Sequence, residues 1–323
     1  MTTVARAEAL FREARAGERR ALGRLITLVE RDQECCEAAA VLADRSAGGG
    51  HVVGMTGAPG AGKSTLTGEL VASFAEAGRR PAVLAIDPSS PLTGGAILGD
   101  RIRMNAEAYG AFVRSMATRG HRGGLSQAVP GVVRVLDAMG FDPIIVETVG
   151  VGQSEVDIAP STDTTLLVVA PGWGDAIQAN KAGLAEVADV LVVNKADRWG
   201  AEDARRDLEH MLDMGSVSGH EARTGRRPPV LLTTATTGEG VAELAVAVDA
   251  HREHLVTSGE LDRRRGRRRA HEVRENLERL LTGRAAEFLE TAEGRDALDE
   301  TERGETSPAT VAQRIADRLA PPP

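Results

Sequence analysis

The sequence predicts an α/β fold built on a mostly parallel sheet, with helical segments before and after it. Three observations carry that expectation. Short apolar runs alternate with helix-patterned stretches from residue 51 to residue 233. The first of those runs leads into a glycine-rich loop that opens a helix. Lysine is also confined: of 39 basic side chains only Lys63, Lys181 and Lys195 are lysine, leaving 36 arginines, and two of the three fall in short motifs that follow apolar runs. A lysine kept in a chain that otherwise uses arginine is a candidate for chemistry that needs a compact ammonium.

In chain order, residues 3–45 read as helical. Gly17 separates two segments, and Ala21, Leu22, Leu25, Ile26 and Val29 recur at helical spacing. Ser46-Ala47-Gly48-Gly49-Gly50 breaks the pattern. An apolar run at 51–56 precedes the loop, and 63–77 is helical. Strands are expected at Ala82–Ile86, Ile144–Val146, Thr165–Val169, Val190–Val193 and Val230–Thr233. Residues 239 to about 290 read as helix and contain the basic run Arg263–Arg269. The tail from Thr301 is polar, with one short helix expected near 309–319. The boundaries expected are a helical N-terminal extension over 1–48, a central domain over 49–256, and a helical arm with a polar tail over 257–323.

Composition excludes several function classes. The net charge of −8 opposes a general nucleic-acid binder, and the Arg263–Arg269 run has acidic flanks and no interleaved aromatics. It reads as a solvated or dimer-facing helix. No stretch is apolar enough to span a membrane, and residues 1–20 lack the apolar core of a secretory signal, so a cytoplasmic location is expected. Cys35 and Cys36 are adjacent on a helix, where neighbours do not face each other, and read as packing residues rather than a bridge. His251 and His254 are three apart on a helix and read as surface or packing positions.

The loop Gly57-Ala58-Pro59-Gly60-Ala61-Gly62-Lys63-Ser64, with Thr65, has the spacing and the strand-to-helix context of a phosphate-binding loop, hence of a P-loop NTPase fold. Loop and helix N-terminal amides would face the phosphates, Lys63 the β- and γ-phosphates, and Ser64 a Mg²⁺ ion. Asn194-Lys195-Ala196-Asp197 ends a later strand. Asp197 can accept from the N1–H and N2–H₂ donors of guanine, a pair that adenine lacks, so GTP is expected over ATP. Asn194 would hold loop and base, and the Lys195 stem would cover the ring. Thr234-Ala235-Thr236 follows the last strand; its backbone either contacts the guanine oxygen or forms an ordinary strand-to-helix turn, and the residues alone leave both open. Asp87 and Glu147 close two strands, where carboxylates can hold Mg²⁺ directly or through water. Gln153, in the glycine-containing stretch after Glu147, either orients a water or is a surface amide.

Four further regions point to one family. The run from Asp87-Pro88-Ser89-Ser90-Pro91-Leu92 to Asp100-Arg101-Ile102-Arg103-Met104 is similar to the long signature of the MeaB/ArgK-type GTPases. Glu147-Thr148-Val149-Gly150-Val151-Gly152-Gln153-Ser154-Glu155 resembles their second switch, and Gly174–Gly183, with Lys181, their third mobile loop. Gly17–Leu22 and Leu25–Glu30 resemble their N-terminal helix. The resemblance spans roughly residues 17–285 and implies a homodimer with a helical C-terminal dimerisation arm. It implies GTP/GDP and Mg²⁺ as ligands, with Asp87, Asp100 or Glu147 joining Ser64 at the metal. Lys63, Asp100, Glu147, Gln153 and Lys181 are its catalytic candidates. Ras-type GTPases carry Asp where Glu147 stands, so their mechanism is not carried over. The implied partner is an adenosylcobalamin-dependent acyl-CoA mutase, most often methylmalonyl-CoA mutase, whose cofactor loading the GTPase gates and which it protects or reactivates. No cobalamin site is assignable in this chain. Two alternatives are a metallochaperone GTPase, opposed by the lack of His-rich or Cys/His segments, and a kinase or transport ATPase, opposed by Asn194 and Asp197.

Overall fold

The computed structural model describes residues 2–46, 48–87, 106–117, 128–148, 158–172, 188–215 and 226–319. The chain divides into two compact units, Met1–Arg264 and Arg265–Pro323.

The first unit begins with α1 (Thr3–Arg15), α2 (Arg19–Arg31) and α3 (Gln33–Asp44). Thr2 and Asp32 cap α1 and α3 by accepting from the Ala5 and Cys35 amides. The second cap explains why the helical stretch read as continuous from Gly17 breaks again at Asp32. A seven-stranded sheet follows: β1 (Val52–Thr56), β2 (Ala82–Asp87), β3 (Phe112–Ala117), β4 (Ile144–Thr148), β5 (Thr164–Val169), β6 (Val190–Asn194) and β7 (Val230–Thr233). The order is β3-β2-β4-β1-β5-β6-β7 and every pairing is parallel. The inner strands are largely apolar because helices cover both faces.

On one face, α1–α3 and α5 (Val129–Ala138) bury Val52, Leu84, Ile86, Ile144 and Val146. Farther along that face, α6 (Ala201–Gly215) covers Leu167, Val169, Leu191 and Val193. On the other face, α4 (Lys63–Glu76) and α7 (Val241–Thr257) bury Val53, Met55, Ile145, Leu166, Val168, Val190 and Val192. β1 lies where the strand order reverses direction, so the loop after it opens at a topological switch point.

The N-terminal edge of the strands is closed by a buried polar network. His51 Nε2 lies 2.7 Å from Thr164 Oγ1, which lies 2.7 Å from His251 Nδ1. His251 Nε2 sits 3.3 Å from Asp189 Oδ1. Asp189 accepts from the Thr165 amide at 2.8 Å and from both Arg264 terminal nitrogens at 2.9 Å. Asp163 accepts from the Val52 amide at 3.1 Å, and its carbonyl accepts from Arg264 at 2.8 Å. Burial pushes the His51 imidazole down to about 3, opposed by Asp163 and reinforced by Arg252 and His251. Burial alone would raise the Asp142 carboxyl. The His51 amide with Arg79 and Arg252 outweighs it and holds the group below the usual carboxylate range. Arg264 thus leaves the basic run that reads as solvated: it is the side chain on which two buried aspartates close. Cys35 is buried, Cys36 half-buried, and no disulfide joins them.

The helix α8 (Glu260–Leu289) starts in the first unit; the second unit holds the rest of it, α9 (Ala292–Glu302) and α10 (Pro308–Leu319). Thr291 caps α9 through the Gly294 amide, and Ala297 and Val311 are buried. α9 was not expected from the sequence. Val273, Leu277, Leu280 and Leu281 lie exposed on α8 at helical spacing. No helix among the described residues is long and apolar enough to cross a membrane.

Candidate functional site: a phosphate loop and a base-reading turn

Those of the predicted site residues that are described lie at the C-terminal edge of the sheet. Gly57 turns the chain out of β1 at φ 133°, and a Cβ there would meet the Val168 carbonyl oxygen at 2.0 Å. Only glycine lets the loop pass so close to β5. Gly62 caps α4 at φ 91° with no side-chain acceptor, so the first helix amides face the loop.

The two described lysines clasp that loop. Lys63 is buried, and its Nζ donates to the Gly57 carbonyl and, at 3.0 Å, to that of Ala58. Lys195 adopts the left-handed backbone, φ 61°, straight after β6, and its Nζ donates to the Gly60 carbonyl at 2.6 Å. Both ammonium groups therefore bond to loop carbonyls, where phosphate oxygens would compete with those oxygens for them.

Asn194 does more than the sequence suggested. Its Nδ2 donates to the Ala61 carbonyl at 2.9 Å, and its Oδ1 accepts from the Ala235 amide at 3.1 Å and Thr233 Oγ1 at 3.2 Å. One buried amide thus ties the phosphate loop to the turn after β7. Within that turn the Thr234 amide donates to the Glu239 carbonyl at 2.9 Å, and Thr234 Oγ1 is buried with no hydrogen-bond partner. Thr236 is exposed, as are Thr65 and Asp197, with Asp197 three residues beyond Asn194 at the open rim. Trp199 stands beside it with 95% of its surface exposed. In a chain with eight aromatic side chains other than histidine, counted as two Trp, one Tyr and five Phe, that placement is conspicuous.

Glu147 is the penultimate residue of β4, faces α4 and is 1% exposed. Ser64 Oγ donates to its Oε1 at 2.6 Å, and Thr67 Oγ1 to its Oε2 at 2.9 Å. A hydroxyl and a carboxylate held together at the start of the P-loop helix form a hard-oxygen donor set of the kind Mg²⁺ takes. Asp87 closes β2, the neighbour of β4, with only its backbone described. Asp100, Gln153 and Lys181 lie outside the described residues. Thr67 was missed by sequence reasoning; the available signal was a hydroxyl one helical turn after Ser64, on the same face.

The family described as methylmalonyl Co-A mutase-associated GTPase MeaB matches residues 22–288. The chain belongs to that family. It is therefore a GTPase with a guanine-nucleotide site, and the P-loop fold expected from the sequence is the fold found. A protein of Pyrococcus abyssi, provisionally described as a GTPase, is 43% identical over 312 residues, covering 96% of each chain. The GTPase ArgK of Escherichia coli is 37% identical over 274 residues, covering 83% of this chain and 82% of that protein. A fused isobutyryl-CoA mutase of Cupriavidus metallidurans is 43% identical over 210 residues, covering 64% of this chain and 19% of that protein. Among solved structures, one titled LAO/AO transport system kinase superposes with a TM-score of 0.70 at 28% identity, covering 98% of both chains.

Proposed function

We propose that this GTPase is a chaperone of an adenosylcobalamin-dependent acyl-CoA mutase, with methylmalonyl-CoA mutase as its partner. It gates cofactor loading and protects or reactivates that enzyme in the cytoplasm. One observation carries the reading: in the Cupriavidus protein a segment 43% identical to this chain lies within a polypeptide named as an acyl-CoA mutase. Fusion holds two activities at high effective concentration, which supports the same pairing between separate chains.

In this reading the loop amides from Gly57 to Thr65 and the Lys63 ammonium bind the phosphates, and Asp197 selects guanine. Thr234, Ala235 and Thr236 line the base end, with Asn194 holding their turn. Ser64 and Glu147, with Asp87 or Asp100, would hold Mg²⁺, which neutralises charge developing on the phosphates. Gln153 and Lys181 complete the catalytic set. No arginine finger is assigned, so intrinsic turnover is slow and the partner accelerates it. The exposed stripe Val273, Leu277, Leu280 and Leu281 supports a homodimer formed through α8 of a second copy.

The test is GTP hydrolysis by the full chain with and without methylmalonyl-CoA mutase, with ATP as control. Stimulation confined to GTP is expected, and Lys181→Ala should remove the stimulation while sparing nucleotide affinity. Equal turnover of ATP would sink guanine selection. GTP hydrolysis that the mutase leaves unchanged would sink this pairing.

A further inference from the structure

Glu147 is gripped at both oxygens, and the inner grip has no role in the reading above. Thr67 is fully buried one helical turn below Ser64, and its hydroxyl reaches both Glu147 Oε2 at 2.9 Å and Met55 Sδ at 3.0 Å. Met55 is the β1 residue paired opposite Glu147 in the sheet, so carboxylate and thioether flank the same hydroxyl. One hydroxyl has one proton, and the carboxylate is much the stronger acceptor. The proton therefore goes to Oε2, and the thioether serves as packing.

A carboxyl with 1% exposure is costly to keep ionised unless both oxygens are satisfied. With Oε2 pinned from below, Oε1 is left facing Ser64 at 2.6 Å. Without that pin one of the contacts that hold the soft terminal torsion of Glu147 is lost, and the acceptor facing Ser64 is less firmly oriented.

We propose that Thr67 is a positioning residue of the Mg²⁺ site, setting the orientation of Glu147 and through it the Ser64 oxygen that faces the metal. The proposal rests on the GTPase reading of this site. It places a supporting hydroxyl behind the donor pair Ser64 and Glu147, of a kind whose loss typically costs about 10–100-fold in metal affinity.

The experiment follows release of a fluorescent GDP analogue from the full chain across a Mg²⁺ titration, comparing wild type with Thr67→Val and Thr67→Ser. Valine keeps the β-branched shape and removes the hydroxyl, and serine keeps the hydroxyl. The Mg²⁺ concentration that half-restores slow release should rise at least about tenfold in Thr67→Val. The rate in EDTA should stay unchanged, and Thr67→Ser should restore the midpoint. An unchanged midpoint, or release accelerated equally with and without Mg²⁺, would overturn the assignment and leave Thr67 a packing residue. If Thr67→Val does not fold, Thr67→Ala read in the same titration carries the same expectation. If wild type itself retains GDP independently of Mg²⁺, the site reading fails first and takes the Thr67 role with it.

Discussion

The two edges of the central sheet spend their polar groups in opposite ways. At the C-terminal edge, Lys63, Lys195, Ser64 and Glu147 hold loops, and the partners they use are ones a nucleotide or cation would replace or share. At the N-terminal edge, His51, Thr164, His251, Asp189 and Arg264 bond to one another and to strand amides. Both edges are buried polar networks in one fold. The lower one closes on itself and serves stability, whereas the upper one is built from groups whose partners can change.

That contrast breaks most visibly at Arg264. Arg264→Ala leaves Asp189 buried without its bidentate partner, so a loss of about 3–5 kcal/mol is expected. At roughly 2–4 °C per kcal/mol for a unit of this size, the melting temperature should fall by about 10 °C. GTP turnover per folded molecule should change little. Calorimetry beside a hydrolysis assay checks both, and a large fall in turnover with an unchanged melting point would erase the distinction.

Lys63→Ala tests the opposite edge. Loss of one preorganised donor should lower GTP turnover by about 10²–10³-fold. The melting temperature of the ligand-free protein should move far less than for Arg264→Ala.

A smaller effect comes from pH. His51 is held near 3 when folded and titrates near its usual 6.5 when unfolded. The unfolded chain therefore binds the extra proton as pH falls below about 6.5, and that stability is lost. Between pH 7 and pH 5 the loss should be about 2 kcal/mol. Urea midpoints at the two values measure it, and His51→Gln should flatten the dependence.

The upper edge was far more legible in the sequence than the lower. A phosphate loop and a base-reading tetrapeptide are local, because backbone geometry fixes which residues can occupy them. Glu147 was legible as an acid closing an apolar strand. The lower network joins His51, Asp189 and Arg264, residues far apart in sequence whose meeting depends on the strand order. Arg264 was hidden in a run of seven residues of which six are arginine. β3 was missed for a related reason: Arg114 and Ser115 interrupt its apolar pattern at the sheet edge, and Arg114 Nη2 bonds to Glu30 and Thr27 of α2. Thr67 escaped because a helix-interior threonine looks like filler until Glu147 is seen against it.

Asn194 has a consequence of a different kind. By bonding to Ala61 on one side and Ala235 on the other, it fixes the distance between the turn after β7 and the glycine loop. If, as proposed, the turn meets the base and the loop meets the phosphates, that fixed distance would act as a gauge of length. Guanosine or GMP would then fall short of the Lys63 end, whereas a di- or triphosphate would span both. Discrimination by chain length would be set by one amide that need touch neither end of the ligand.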